Sequence, residues 1–76
     1  MDSSVSEDYT GLIDYSGYPV ATYFGEAVPG SNTSDQVWRI RLISNNSSSG
    51  VVTVLWADGN NNFDNIWDNR KLYVYS

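Results

Sequence analysis

The chain has no cysteine and no histidine, and both absences exclude whole classes of function. Without cysteine, neither a disulfide nor a thiolate metal site can form. Without histidine, the commonest general base and the commonest transition-metal ligand are both missing. The usual nucleophile–base pairs of hydrolases cannot be assembled from the remaining side chains. We therefore predict a protein that is not an enzyme and that uses no metal and no cofactor.

Basic residues are scarce, with 4 Lys and Arg against 9 Asp and Glu and a formal charge of −5. Phosphate backbones and anionic lipids repel an acidic domain. No apolar run is long enough to span a membrane, and residues 1–8 lack the apolar segment of a signal peptide. We expect neither nucleic acid nor membrane as a partner. Residues 1–8 are predicted to be a flexible acidic tail, or alternatively an arm that becomes ordered on a neighbouring subunit.

The length of 76 residues fits one small domain, which we place at residues 9–76. A chain this short has a marginal core and usually depends on a disulfide, a metal or a partner. Since cysteine is absent, two routes to stability remain. One is a dense core of aromatic residues, which make up 14% of the chain. The other is association, either with further copies or with a larger assembly.

The pattern of residues predicts an all-β fold with four or five short strands, in a small antiparallel sheet or a barrel-like sandwich. Its best-supported element is a hairpin of strands 38–43 and 51–56, joined by a polar tip at residues 44–50. The first strand alternates between two faces. Trp38, Ile40 and Leu42 are predicted to face the core. Arg39, Arg41 and Ile43 are predicted to face the other way.

Three further strands are expected at residues 9–14, 20–24 and 72–75. Gly25 is predicted to end the second of these or to form a bulge within it. Phe63, Ile66 and Trp67 have the i, i+3, i+4 spacing of one helical face. This spacing predicts one helical turn near residues 62–67, with Phe63 and Trp67 mostly buried as the lid of the core.

Two arrangements of acidic and amide residues could carry chemistry, and both have a simpler explanation. Asp58, Asp64 and Asp68 could supply the paired carboxylates of a glycosidase, but turn and cap residues are the preferred interpretation. Asp58, Asn60 and Asn62 match the start of a calcium loop. The match fails where the loop requires glycine and glutamate, so we predict no calcium site.

Sugar binding is a second interpretation of the aromatic residues. Trp67 beside Asp68 and Asn69 could stack on a sugar ring, and so could Tyr73 and Tyr75. A role in the core or in an interface is the preferred interpretation, because large rings dominate the burial of small domains.

The strand at 51–56 is apolar at almost every position, which predicts that its second face is covered. We expect this face to dock on another chain, with the arginines paired to acidic residues there or within this domain. The alternative is that the N-terminal strands cover it and form a closed, barrel-like monomer. The predicted interface residues are Arg39, Arg41, Val51, Thr53, Leu55, Tyr73 and Tyr75.

From residue 29 onward the order of motifs resembles a stretch that recurs in small structural proteins of tailed bacteriophages. The motifs are P-G-S-N-T-S, V-W-R-I, W-A-D-G-N and F-D-N-I-W-D-N-R, of which residues 63–70 are the most specific. The resemblance covers about the last two-thirds of the chain. It implies localisation in the virion and phage capsid or tail proteins as partners, and it does not distinguish capsid, neck, tail and fibre.

These observations together predict a phage structural protein that acts by protein–protein docking, as a capsid decoration, neck or tail component. We expect it to be a homo-oligomer or bound to a lattice. The alternative is a carbohydrate- or receptor-binding module of a phage fibre.

Overall fold

A computed structural model describes residues 8–76, which form five strands and one 3-10 turn. The strands are β1 (Thr10–Gly17), β2 (Ala21–Ala27), β3 (Gln36–Asn46), β4 (Val51–Trp56) and β5 (Asn65–Ile66), and the turn is Trp67–Asn69. All pairings are antiparallel, in the order β1-β2-β3-β4, with β5 also beside β3. The all-β prediction is confirmed. The predicted tail lies outside the described residues except for Asp8.

The predicted β3–β4 hairpin is confirmed, with β3 inside the sheet and β4 at one edge of it. β3 pairs with β2 from Glu26↔Arg39 to Ala21↔Ser44, and with β4 from Arg41↔Trp56 to Asn46↔Val51. At the tip, the Asn46 side chain accepts hydrogen bonds from the backbone N–H groups of Ser48 and Ser49. Short polar side chains that bond to nearby backbone favour turns over strands, so the ladder ends there.

One face of this sheet, which we call the core face, carries the hydrophobic core. Its fully buried members are Ala27, Trp38, Ile40 and Ala57, and Trp67 covers them with 6% of its surface exposed. The Trp38 and Trp67 rings lie 5.9 Å apart and are tilted by 40°. The predicted core face is therefore confirmed for Trp38 and Ile40, while Leu42 is only half-buried.

Gly25 lies within β2 and neither ends it nor forms a bulge, which corrects the expectation. The β2–β3 register runs without a shift from Ala21 to Glu26. A Cβ atom at Gly25 would come within 2.5 Å of the Trp67 ring. The glycine is required because the indole packs directly on the strand backbone. The irregularity lies instead in β1, between Asp14 and Gly17.

Residues 65–76, which we call the lid, cover the core face. Asn65 is fully buried, and its side-chain amide donates to the Trp38 carbonyl oxygen. The Asp68 N–H donates to the Thr33 carbonyl oxygen. A single bridge, Ala57↔Tyr75, replaces the predicted strand at 72–75. In this segment Tyr73 and Tyr75 point toward the core, while Leu72 and Val74 point toward solvent. Tyr73 accepts a hydrogen bond from Ile66 N–H, and Tyr75 donates to the Arg70 carbonyl oxygen.

An ion pair ties the lid to β1. Arg70 Nε donates to Asp14 Oδ2 at 2.9 Å, and the guanidinium lies 4.6 Å from the centre of the Trp67 ring. Hydrogen bonds from Ser16 and from Arg70 hold the pKa of Asp14 far below its ordinary value. The lid is therefore joined to the sheet by charge as well as by packing.

Phe63 does not share a face with Trp67, so the predicted helical turn at residues 62–67 is wrong. The turn is of the 3-10 type and begins only at Trp67. Phe63 is 36% exposed and stacks on Tyr9 with a ring separation of 5.2 Å. The chain leaves the edge of the sheet after Ala57 and returns to it at Asn65. This excursion places Phe63 against Arg39, on the side opposite to Trp67.

Candidate interaction surface

The second face of the sheet carries two arginines among aromatic and β-branched side chains. We call it the arginine face. The pairing register places on it Ile13, Thr22, Phe24, Glu26, Arg39, Arg41, Ile43, Val52, Val54 and Trp56. Cross-strand partners share a face, so these side chains form one continuous surface. Ile13, Val52 and Val54 are each at least half exposed.

Glu26 holds both arginines in place. Arg39 donates to Glu26 Oε1 from Nε at 3.2 Å and from Nη2 at 2.8 Å, and Arg41 Nη2 reaches the same oxygen. Burial would raise the pKa of Glu26, but hydrogen bonds from both guanidinium groups and their charges outweigh this effect and lower it. The expected pairing of these arginines with an acidic residue is therefore met inside the chain.

Aromatic rings also contact the two guanidinium groups. Arg41 lies 4.8 Å from the Phe24 ring and 4.9 Å from the Trp56 ring. Arg39 lies 4.6 Å from the Phe63 ring. Cation–π contacts of this kind favour a guanidinium that is flat against a ring. The arginine face is thus a preorganised set of planar groups.

Within residues 8–76, the Tyr9 and Phe63 rings cover the arginine face beside Arg39, and the face is open around Ile13, Val52 and Val54. β1 and β2 lie in the same sheet as β3, and β1 and β4 are its two edges, so the alternative of a closed barrel is wrong for these residues. Beside one end of the face lies an open cleft of about 490 Å³, lined by Asp8, Tyr9, Val28, Val37 and Phe63.

The structure divides the predicted interface residues between the two faces. Arg39 and Arg41 lie on the arginine face, but Val51, Thr53 and Leu55 lie on the core face, opposite to the expectation. The cause is the pairing of odd-numbered residues of β3 with even-numbered residues of β4, which brings Val52, Val54 and Trp56 beside the arginines.

Tyr73 and Tyr75 also lie on the core side, half-buried against the core cluster. Burial, and then the neighbouring Tyr23, raise the pKa of Tyr75 well above its ordinary value. Their hydroxyl groups are already hydrogen-bonded within the lid. The Trp67 ring is buried, so it offers no exposed face on which a sugar could stack.

The acidic residues considered for chemistry all lie at exposed positions outside the strands. Asp58, Asp64 and Asp68 are exposed. The Asn60 side-chain oxygen accepts from Asn62 N–H, as in an ordinary Asx turn, and the Asn60 side-chain amide donates to the Asp58 carbonyl oxygen. Among residues 8–76, no group of three or more acidic side chains is placed to hold a metal ion. The same residues contain no helix long and apolar enough to cross a membrane.

Sequence reasoning missed the roles of Glu26 and Phe24. Phe24 lies just before Gly25 and Glu26 just after it. Because the strand was predicted to end or bulge at Gly25, neither residue was assigned to the face of the arginines. The sequence did contain a signal. Phe24 and Glu26 are two residues apart, as are Arg39 and Arg41, so each pair lies on one face of its strand.

Comparisons with known proteins returned nothing similar: no family model, no curated protein and no solved structure matches this chain.

Proposed function

We propose that this protein is a small structural component of a phage virion and that it docks on a larger capsid, neck or tail protein through the arginine face. The virion setting is supported by the resemblance over residues 29–76. The docking role is supported by one observation above all. The side of the sheet opposite the core presents exposed apolar side chains around two arginines that are already fixed in position.

The composition of this face is that of a protein interface. Arginine and aromatic residues are enriched in interface centres, where planar groups provide large contact area at low entropic cost. Glu26, Phe24 and Trp56 hold the arginines before any partner arrives. Preorganisation of this kind reduces the entropy lost on binding.

Co-sedimentation with the capsid and tail proteins encoded alongside this chain tests the proposal. We expect the protein to bind one of them in fixed stoichiometry and to be indifferent to added sugars. Binding to none of them, combined with sugar-dependent binding to a cell-surface glycan, would support the fibre module instead.

The variants used in this test should leave Arg39 and Arg41 intact. Reversing both charges would place two new carboxylates beside that of Glu26, and the repulsion among the three would destabilise the fold itself. Ile13→Lys and Ile43→Lys alter the arginine face without touching this cluster. Leu72→Lys is the matched control, because Leu72 is 79% exposed on the lid.

A further inference from the structure

Within residues 8–76, the outer edge of β4 is unpaired from Val51 to Leu55, and its composition is unusual for an exposed strand edge. Val51–Trp56 reads V-V-T-V-L-W, with no charge, no glycine and no proline. Val51, Val52 and Val54 are each at least 50% exposed. Natural proteins normally protect such edges with lysine, proline, a bulge or a covering segment. The other edge has this protection, since the β1 register shifts between Asp14 and Gly17.

The hydrogen-bonding pattern identifies which backbone groups of β4 face outward. Trp56 exchanges both of its backbone hydrogen bonds with Ser76, while Ala57 N–H donates to Ile40 on β3. Inward and outward groups alternate along an antiparallel strand. The N–H and C=O groups of Val52 and Val54 therefore point away from β3, toward open solvent within the described residues.

We propose that β4 pairs edge to edge with the β4 strand of a second copy of this chain. Two antiparallel copies of β4 are self-complementary, because each offers the outward groups of Val52 and Val54 to the same groups of the other. The strand carries no charge, so no like charges come opposite each other in a protein whose net charge is −5. Such a pair has twofold symmetry, the commonest arrangement of identical chains.

Ser76 limits where the twofold axis can pass. It occupies the position opposite Trp56, so a partner strand cannot extend that far. Even-numbered residues must also pair with even-numbered ones, because those residues carry the outward groups. The axis therefore passes through Val52 or through Thr53. In either register, the arginine faces of the two copies lie on the same side of one continuous sheet.

This proposal does not rest on the docking function, because it uses the edge of the sheet and not its face. Sedimentation equilibrium of the purified chain tests it directly. Val52→Pro removes an outward N–H without removing a bond to β3, so the monomer is expected to keep its fold. It removes one hydrogen bond from each half of the dimer, and we expect dimerisation to weaken at least about tenfold.

Ile13→Pro is the matched control. By the same alternation, Ile13 N–H points outward from the β1 edge, and Ile13 is 61% exposed compared with 54% for Val52. We expect Ile13→Pro to leave the dimer unchanged. Loss of the dimer in Ile13→Pro with retention in Val52→Pro would place the contact at β1 and overturn the proposal. So would a wild-type chain that stays monomeric at every concentration.

Cysteine cross-linking locates the axis, since the natural chain contains no cysteine. Residues on the axis of an antiparallel pair approach closely enough for a symmetric disulfide. Under mild oxidation we expect covalent dimers from Val52→Cys or Thr53→Cys, and none above background from Ile13→Cys. Cross-linking in Ile13→Cys alone, or in none of the three, would contradict pairing through β4.

Discussion

The two faces of this sheet are built from the same strands, but they are stabilised in different ways. The core face is covered by the lid, whose Trp67 packs against Trp38 and on the backbone of Gly25. Within residues 8–76 the arginine face is covered only in part, by the Tyr9 and Phe63 rings beside Arg39, and ion pairs to Glu26 and contacts with aromatic rings hold it together. The difference indicates that folding depends chiefly on one face, which leaves the other available for binding.

The largest expected effect is on the core face. Trp67→Ala removes a ring that is 94% buried, since 6% of it is exposed. Truncating a buried aromatic residue costs about 3–5 kcal/mol, close to the whole stability of a domain this small. We expect no cooperative unfolding transition in urea. Leu72→Ala, at an exposed position of the same lid, is expected to melt like the wild type. A cooperative melt of Trp67→Ala near the wild-type midpoint would contradict the buried role of this ring.

A smaller loss is expected when the arginine face is disrupted. Glu26→Gln removes the carboxylate that Arg39 and Arg41 share, while the side chains involved keep 19–26% exposure to water. We expect a loss of about 1–3 kcal/mol in the free energy of unfolding, less than for Trp67→Ala. Urea unfolding measures the free energy of unfolding of both variants. An equal or larger loss in Glu26→Gln would remove the distinction between the two faces.

The effect of pH distinguishes the ion pairs from the packing. The folded-state pKa of Asp14 is depressed, so its contribution to stability is present above the unfolded pKa of about 3.9 and is lost as pH falls toward the folded value. We expect the urea midpoint to fall between pH 5 and pH 2.5 in the wild type. Asp14→Asn should be less stable at pH 7 and should lose less on acidification. An identical pH dependence in both proteins would contradict the tie between Asp14 and Arg70.

The hairpin was predictable because β3 alternates clearly between polar and apolar residues. The faces of β4 were not predictable, since V-V-T-V-L-W is apolar on both sides and only the pairing register assigns each residue to a face. Gly25 suggested a bulge, because sequence spacing does not reveal that Trp67, from a distant segment, packs on its backbone.

The segment from Phe63 to the end of the lid was the hardest part to predict. Phe63 and Trp67 have helical spacing, but the chain crosses the edge of the sheet between them, so they serve opposite faces. Leu72 and Val74 are more hydrophobic than Tyr73 and Tyr75, yet they are the exposed pair. The tyrosines are turned inward because their hydroxyl groups reach backbone partners at Ile66 and Arg70. Such long-range hydrogen bonds leave no local pattern in the sequence.

The central claim is that the core face stabilises the fold and the arginine face binds the partner. Measuring stability and binding on one matched pair of variants tests it most directly. The first is Ile13→Lys/Ile43→Lys on the arginine face, and the second is Leu72→Lys/Val74→Lys on the outer side of the lid. Each is compared with the wild type by urea unfolding and by titration against the capsid or tail protein that the wild type binds. The account predicts that both remain folded and that only the first loses binding, by at least about tenfold, or about 1.4 kcal/mol. Equal binding by both variants, or loss confined to the lid variant, would contradict it.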